Sequence, residues 1–269
     1  MVTVDFFDDL VVTMLDPGDL SRYAVLWHEK APQRSEIDWS IQDDLAVRAH
    51  LALEQHVGRP LPVQMKLDKR IPVGGGLGGG SSNAASMLRA VDTLHELKLS
   101  DADLLELAAT LGSDVPFFLE GGSALVQGKG ESIQRHDMRP ALHAVLVFPE
   151  ISCPTGAVYR AFDESAPVRF RGEQVEAMVS ATPDQQAFFN DLAAPAMSVA
   201  PALGEVHARV SAMAEGPVHV SGSGSTLFLP CSDALHAGAL STAVQEQLDL
   251  PAVAVTTCEQ QTDLLETIQ

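Results

Sequence analysis

Six of the seven residues from Gly74 to Gly80 are glycine, and Ser81 and Ser82 follow them directly. Glycine inside a helix or strand sacrifices stability through backbone entropy, so such a run marks a place where bare backbone is required. Two readings compete. A short glycine-rich stretch can be a flexible linker. It can also be an anion cradle, in which glycines adopt φ > 0 and successive N–H groups converge on one ligand. The dipole of a following helix then adds partial positive charge. The flanks favour the cradle. Upstream, Val63, Met65 and Leu67 alternate with Gln64, Lys66 and Asp68, the period of a half-buried strand, and Pro72 closes it. Downstream, Ala84, Met87, Leu88, Val91 and Leu94 recur at helical spacing, and Ser81 or Ser82 is expected to cap that helix.

The kind of loop is narrowed by what it lacks. The phosphate loop of the NTPases ends in Gly-Lys-Ser/Thr, and this one ends Gly80-Ser81-Ser82. Gly74, Gly76 and Gly79 satisfy the dinucleotide pattern G-x-G-x-x-G, but any run this rich in glycine does so. A dinucleotide fold would also feed the loop from a strand buried on both faces, and residues 63–68 alternate instead. The net charge of −19 disfavours nucleic acid as a partner. Backbone amides can hold a phosphate whatever the net charge.

The 269 residues, 46% apolar and 20% charged, describe a globular chain with room for two compact units. No stretch reaches the roughly 18 apolar residues of a membrane span, and no signal peptide is legible, so a cytoplasmic location is expected. Cys153, Cys231 and Cys258 lack disulfide or metal spacing and read as core residues. The histidines are scattered without ligand spacing. Asp8-Asp9 and Asp43-Asp44 read as a solvated face or helix caps.

The first half reads as strands followed by helices, one of them capped by Ser100, carrying Leu104, Leu107, Ala108 and Leu111 inward and stopping at Gly112. From Pro140 the pattern changes. Leu142–Phe148 is a β run, helices follow near 157–162 and 203–213, and Val218–Val220 and Thr226–Leu229 flank Ser-Gly-Ser-Gly-Ser as a hairpin. A helix over 234–248 and a strand over 253–257 complete a split βαβ order. The expected division is 1–138 and 139–269.

Asp114 stands between Gly112 and Pro116, so a turn presents it. There a carboxylate can take a proton from a hydroxyl attacking a γ-phosphorus, or simply serve as a turn or cap residue. Ser221–Ser225 does not satisfy the nucleophile-elbow pattern and by itself reads as a hairpin turn.

Taken together, these blocks resemble the GHMP kinases. Lys69–Ala85 is similar to their ATP loop, Leu111–Leu119 with Gly121-Gly122 and Gly128–Glu131 to their catalytic-aspartate motif, and Val220–Ser225 to their C-terminal glycine loop. Ile151–Thr155, Tyr159 and Phe189–Leu192 match between them. The resemblance implies an α+β, two-domain fold: an N-terminal unit like domain 2 of ribosomal protein S5, and a C-terminal ferredoxin-like unit. It further implies ATP and Mg2+ as cofactors. Pro72, Gly74, Gly75, Gly76, Leu77, Gly78, Gly79, Gly80, Ser81, Ser82 and Asn83 would hold the nucleotide, with Ser82 a candidate Mg2+ ligand. Asp114 would be catalytic. Thr155, Tyr159, Ser221, Gly222, Ser223 and Gly224 would face the substrate, Tyr159 by stacking on a cytosine and Ser221–Ser225 by closing over phosphates.

Within the family the likeness is to kinases of 4-diphosphocytidyl-2-C-methyl-D-erythritol in non-mevalonate isoprenoid synthesis, acting as monomer or homodimer. The alternatives are another GHMP small-molecule kinase, or a nucleotide-binding relative with little activity; a dinucleotide oxidoreductase stands third. The family's opening Pro-Ala-Lys-x-Asn-Leu and Asp-Gly-Tyr/Phe-His-Glu motifs are not in this sequence, and Met1–Asp9 resembles the segment after them. Met1 is thus expected to be an internal methionine of a longer protein. The lysine that pairs with the aspartate in the family would be missing, and a large loss of turnover is expected.

Overall fold

A computed structural model describes residues 1–137, 140–166, 168–180 and 188–258. The expected boundary at 138 lies outside the described residues. The first sheet holds β1 (Asp9–Met14), β2 (Arg22–Trp27) and β3 (Val63–Lys69) in the order β1-β3-β2, with β1 antiparallel and β2 parallel to β3. The alternation in β3 is realised: Val63, Met65 and Leu67 point inward, and so does Lys69.

Helices α1 (Leu45–Val57) and α2 (Gly79–Leu94) pack together on that apolar face through Ala46, Val47, Leu53, Met87, Leu88 and Val91, all essentially without solvent contact. Each large apolar side chain so buried contributes about 1.5–3 kcal/mol. The ends of α1 are set locally, by Asp44 accepting from the Ala46 amide at 2.9 Å and by Gly58 in the left-handed region. Helix α3 (Asp101–Leu111) starts at Ser100 in a reciprocal cap with Asp103 and ends at Gly112, as the sequence predicts. The four-residue helix α4 (Val115–Phe118) and the hairpin β4 (Ala124–Gln127)–β5 (Ser132–Arg135) follow.

The second sheet comprises β6 (His143–Val147), β7 (His219–Val220), β8 (Leu227–Cys231) and β9 (Ala252–Thr256), all paired antiparallel in the order β7-β8-β6-β9. Strands β6 and β7 run the same way with β8 between them, the expected split βαβ arrangement. Between β6 and β7 lie α5 (Thr155–Asp163), α6 (Gly172–Ser180), α7 (Ala193–Val199) and α8 (Pro201–Met213); α9 (Ala234–Leu248) links β8 to β9. Val145, Val147, Leu227 and Leu229 share one core with Leu203, Val210 and Val244. Leu146, Phe148 and Val255 form another, against Val4, Phe6, Leu77 and Phe228. Leu77 of the glycine loop is therefore seated on the second sheet.

Among the described residues no helix is long and apolar enough to cross a membrane. Cys153 and Cys231 are buried as free thiols, and burial pushes both above the usual thiol range.

Candidate active site

The glycine loop joins β3 to α2. Gly74, Gly76 and Gly78 all have φ near +70°, a region that L side chains rarely adopt. Several also approach neighbours too closely for a side chain. A Cβ on Gly78 would lie 2.7 Å from the Phe118 ring, and one on Gly79 2.8 Å from Ile71. The cap differs from the expectation: Gly78, not a serine, is the N-cap of α2, and no side chain bonds the helix start. Ser82 already lies inside the first turn, where its amide bonds the Gly78 carbonyl at 2.8 Å and its hydroxyl donates back to Gly79 O at 2.9 Å. A side-chain cap would compete for the first amides of α2; without one they remain donors for an anion.

The second glycine loop, between β7 and β8, holds the first in place. Ser221 Oγ donates to Gly76 O at 2.8 Å, and the Thr226 amide donates to Gly75 O at 3.2 Å. In a trans peptide the C=O and the next N–H point in opposite directions. Anchoring those two carbonyls on the second loop turns the Gly76 and Leu77 amides away from it. Gly222 and Gly224 have φ of +52° and +84°. Asn190 Nδ2 donates to Val220 O at 2.8 Å and Gly222 O at 2.7 Å, fixing this loop in turn. Thr155 Oγ1 lies 3.0 Å from Ser223 Oγ, so α5 meets the loop there, and Tyr159, one turn further along α5, is half exposed.

Asp114 is the N-cap residue of α4, but its side chain caps nothing, which leaves the carboxylate available. It reaches solvent, yet partial burial withdraws enough water to raise its pKa above the usual carboxylate value. A raised pKa makes the carboxylate a better proton acceptor. The hairpin braces this turn: Gly130, at φ +99°, abuts the Ser113 carbonyl so closely that any Cβ there would overlap it. The Phe118–Gly78 contact then brings α4 against the start of α2.

The structure therefore joins Gly74–Ser82 to Ser221–Gly224 by hydrogen bonds and sets the start of α2 against Phe118 of the short helix that Asp114 opens; Thr155 meets the second loop at Ser223, and Tyr159 follows one turn along α5. Pro72 stands at the loop's entrance, its carbonyl accepting from the Gly75 amide at 3.4 Å. Asn83 is turned elsewhere: its side chain is buried and donates to Asp8 at 2.7 Å. Asp8 differs from its reading as part of a solvated face, because its side chain has no solvent exposure and pairs with Lys69. Asp8, Lys69 and Thr226 carry roles that the sequence reading does not assign, and Asn190 enters that reading only through the family match. Among the described residues no group of three His, Cys, Asp or Glu side chains converges as a metal site.

Residues 44–122 match the model of the GHMP kinases N terminal domain. The chain is 38% identical over 216 residues to the 4-diphosphocytidyl-2-C-methyl-D-erythritol kinase of Caulobacter sp. (strain K31), covering 76% of this chain and 72% of that one. It is 42% identical over 204 residues to that of Mycobacterium leprae (strain Br4923), covering 73% of this chain and 63% of that one, so the match spans under two thirds of the mycobacterial relative. A crystal structure of 4-(cytidine 5'-diphospho)-2C-methyl-D-erythritol kinase superposes with a TM-score of 0.73 at 32% identity, over 96% of this chain and 88% of the other.

Proposed function

This chain belongs to the 4-diphosphocytidyl-2-C-methyl-D-erythritol kinase family of the GHMP kinases, and we propose accordingly that it transfers the γ-phosphoryl group of ATP to a hydroxyl of 4-diphosphocytidyl-2-C-methyl-D-erythritol. The observation that carries the reading is the contact of Gly78 with Phe118, which sets the helix presenting Asp114 against the uncapped start of α2. An acceptor hydroxyl and a polyphosphate can meet there.

The bare amides from Gly76 to Ser81 fit a polyphosphate, since the cradle admits no Cβ at its tightest points and no side chain occupies the helix start. For Mg2+ the chain offers the Ser82 hydroxyl, whose oxygen keeps lone pairs while its proton bonds Gly79 O. Mg2+ carried on the phosphates would neutralise charge as it develops, keeping several of its waters.

Asp114 orients the acceptor hydroxyl and takes its proton as the new O–P bond forms and the bond from phosphorus to the β,γ-bridging oxygen breaks. That bridging oxygen leaves with the electron pair on ADP. Tyr159 offers an exposed ring for the cytosine, and Thr155 with Ser221–Gly224 forms the wall against the substrate's diphosphate. The two sheets correspond to two domains, 1–138 and 139–269, and the reaction belongs to the cytoplasm.

Transfer of label from γ-labelled ATP to the cytidylated alcohol tests this. Asp114→Asn should lower the rate about 10²–10⁴-fold while ATP still binds. Transfer that is indifferent to the cytidylated alcohol, or an Asp114→Asn variant at the unaltered rate, refutes the assignment.

A further inference from the structure

Asp8 precedes β1, and its carboxylate makes four hydrogen bonds without solvent contact. Oδ1 accepts from the backbone amides of Arg70 at 2.6 Å and Ile71 at 2.8 Å; Oδ2 accepts from Lys69 Nζ and from Asn83 Nδ2, each at 2.7 Å. Arg70 and Ile71 are where the chain leaves β3, and Asn83 is in the second turn of α2. The glycine loop spans the gap between those points. One carboxylate thus ties together both ends of the loop.

Its neighbour reinforces the tie. Arg70 grips Asp9 with two bonds, of 2.8 and 2.6 Å, and donates to Phe7 O at 3.0 Å. That pair holds Asp9 below the usual carboxylate range. A buried ion pair recovers its desolvation cost only when its geometry is good and its remaining polar atoms are satisfied, and Asp8 meets both conditions. With four charge-assisted bonds to the protein, it has no role left in touching substrate.

We propose that Asp8 is a positioning residue for the phosphate site: it fixes the separation between the end of β3 and the first turns of α2, and so presets the loop amides for a polyphosphate. This rests on the reading of Gly74–Ser82 as an ATP loop. A merely structural carboxylate would affect folding and all ligands alike, whereas a loop clamp acts on the phosphates alone.

The test compares Asp8→Asn with the exchange Asp8→Asn/Asn83→Asp, titrating each with ATP and with adenosine and checking the fold by thermal melting. Asp8→Asn should raise the Kd for ATP about ten-fold, with adenosine changed less than about two-fold. The exchange should recover most of the ATP affinity. Its side-chain amide at position 8 can still accept from both backbone amides while donating to the carboxylate moved to position 83. Equal losses for ATP and adenosine, or unchanged ATP affinity in folded Asp8→Asn, overturn the proposal. Should Asp8→Asn fail to fold, Asn83→Ala, which removes one bond of the four, carries the same expectation and the same refutation. An unaltered chain that binds adenosine no worse than ATP would instead defeat the reading of the loop, and the clamp with it.

Discussion

Gly76→Ala separates the two demands the loop makes on glycine. Gly76 has φ +74°, where an L side chain costs about 1–2 kcal/mol. Gly58, the C-terminal cap of α1, has φ +70° and open space around it, so Gly58→Ala carries that cost alone. At Gly76 the new Cβ would also stand under 3.0 Å from the Ser221 carbonyl oxygen and 3.1 Å from that of Gly224, both backbone atoms that cannot swing aside. The loops must part, which breaks Ser221 Oγ–Gly76 O and Thr226 N–Gly75 O. Each lost bond adds about 0.5–1.5 kcal/mol. The sum is about 2–5 kcal/mol for Gly76→Ala against about 1–2 for Gly58→Ala. At a few °C per kcal/mol for domains of this size, thermal melting resolves the difference. Titration with ATP should show weakened binding in Gly76→Ala and none of that loss in Gly58→Ala. Equal destabilisation by the two substitutions refutes the interlock between the loops.

Three further expectations follow from the same geometry. The pH–rate profile should lose activity on its acid side above the ordinary aspartate value of 3.8, because the base form of Asp114 is lost as pH falls through a raised pKa; an acid limb at the ordinary value contradicts the role of its desolvated setting. Gly130→Ala should displace the Asp114 turn through the Ser113 carbonyl and lower kcat about a hundred-fold with little change in ATP affinity, and a normal kcat in the folded variant removes the brace from the account. Asn190→Ala leaves the Val220 and Gly222 carbonyls without their donor; steady-state kinetics should show a higher KM for the cytidylated alcohol, and an unchanged KM places the second loop outside acceptor binding.

The glycine loop, the strand before it and the helix after it are legible because their signals are local. Glycine entropy, a period of two and a period of 3.6 are each written within about ten residues. The same holds for the Ser100 cap and for the order of the second sheet. The serine cap fails for a local reason too: the glycines themselves enter the helix, so α2 begins before either serine and its first amides stay bare. Bare amides suit an anion better than capped ones do, so the departure from the capping rule agrees with the proposed nucleotide site.

The contacts that assemble the site are of another kind. Ser221 and Gly76 are 145 residues apart, and Asp8 and Asn83 are 75 apart, so neither pairing has a period or spacing to reveal it. One signal for Asp8 is nevertheless present. In β3 the inward register runs Val63, Met65, Leu67 and then Lys69, and an ammonium at a core position requires a counter-charge buried with it. Asp8-Asp9 reads as a solvated face only while charge is counted along the chain, not across the sheet. Strand β1 pairs antiparallel with β3, with Asp9 opposite Asp68, which carries the residue before β1 to Lys69. A lysine in phase with a strand's apolar positions thus predicts a buried acid on the neighbouring strand, and here that acid stands where the strand turns into the glycine loop.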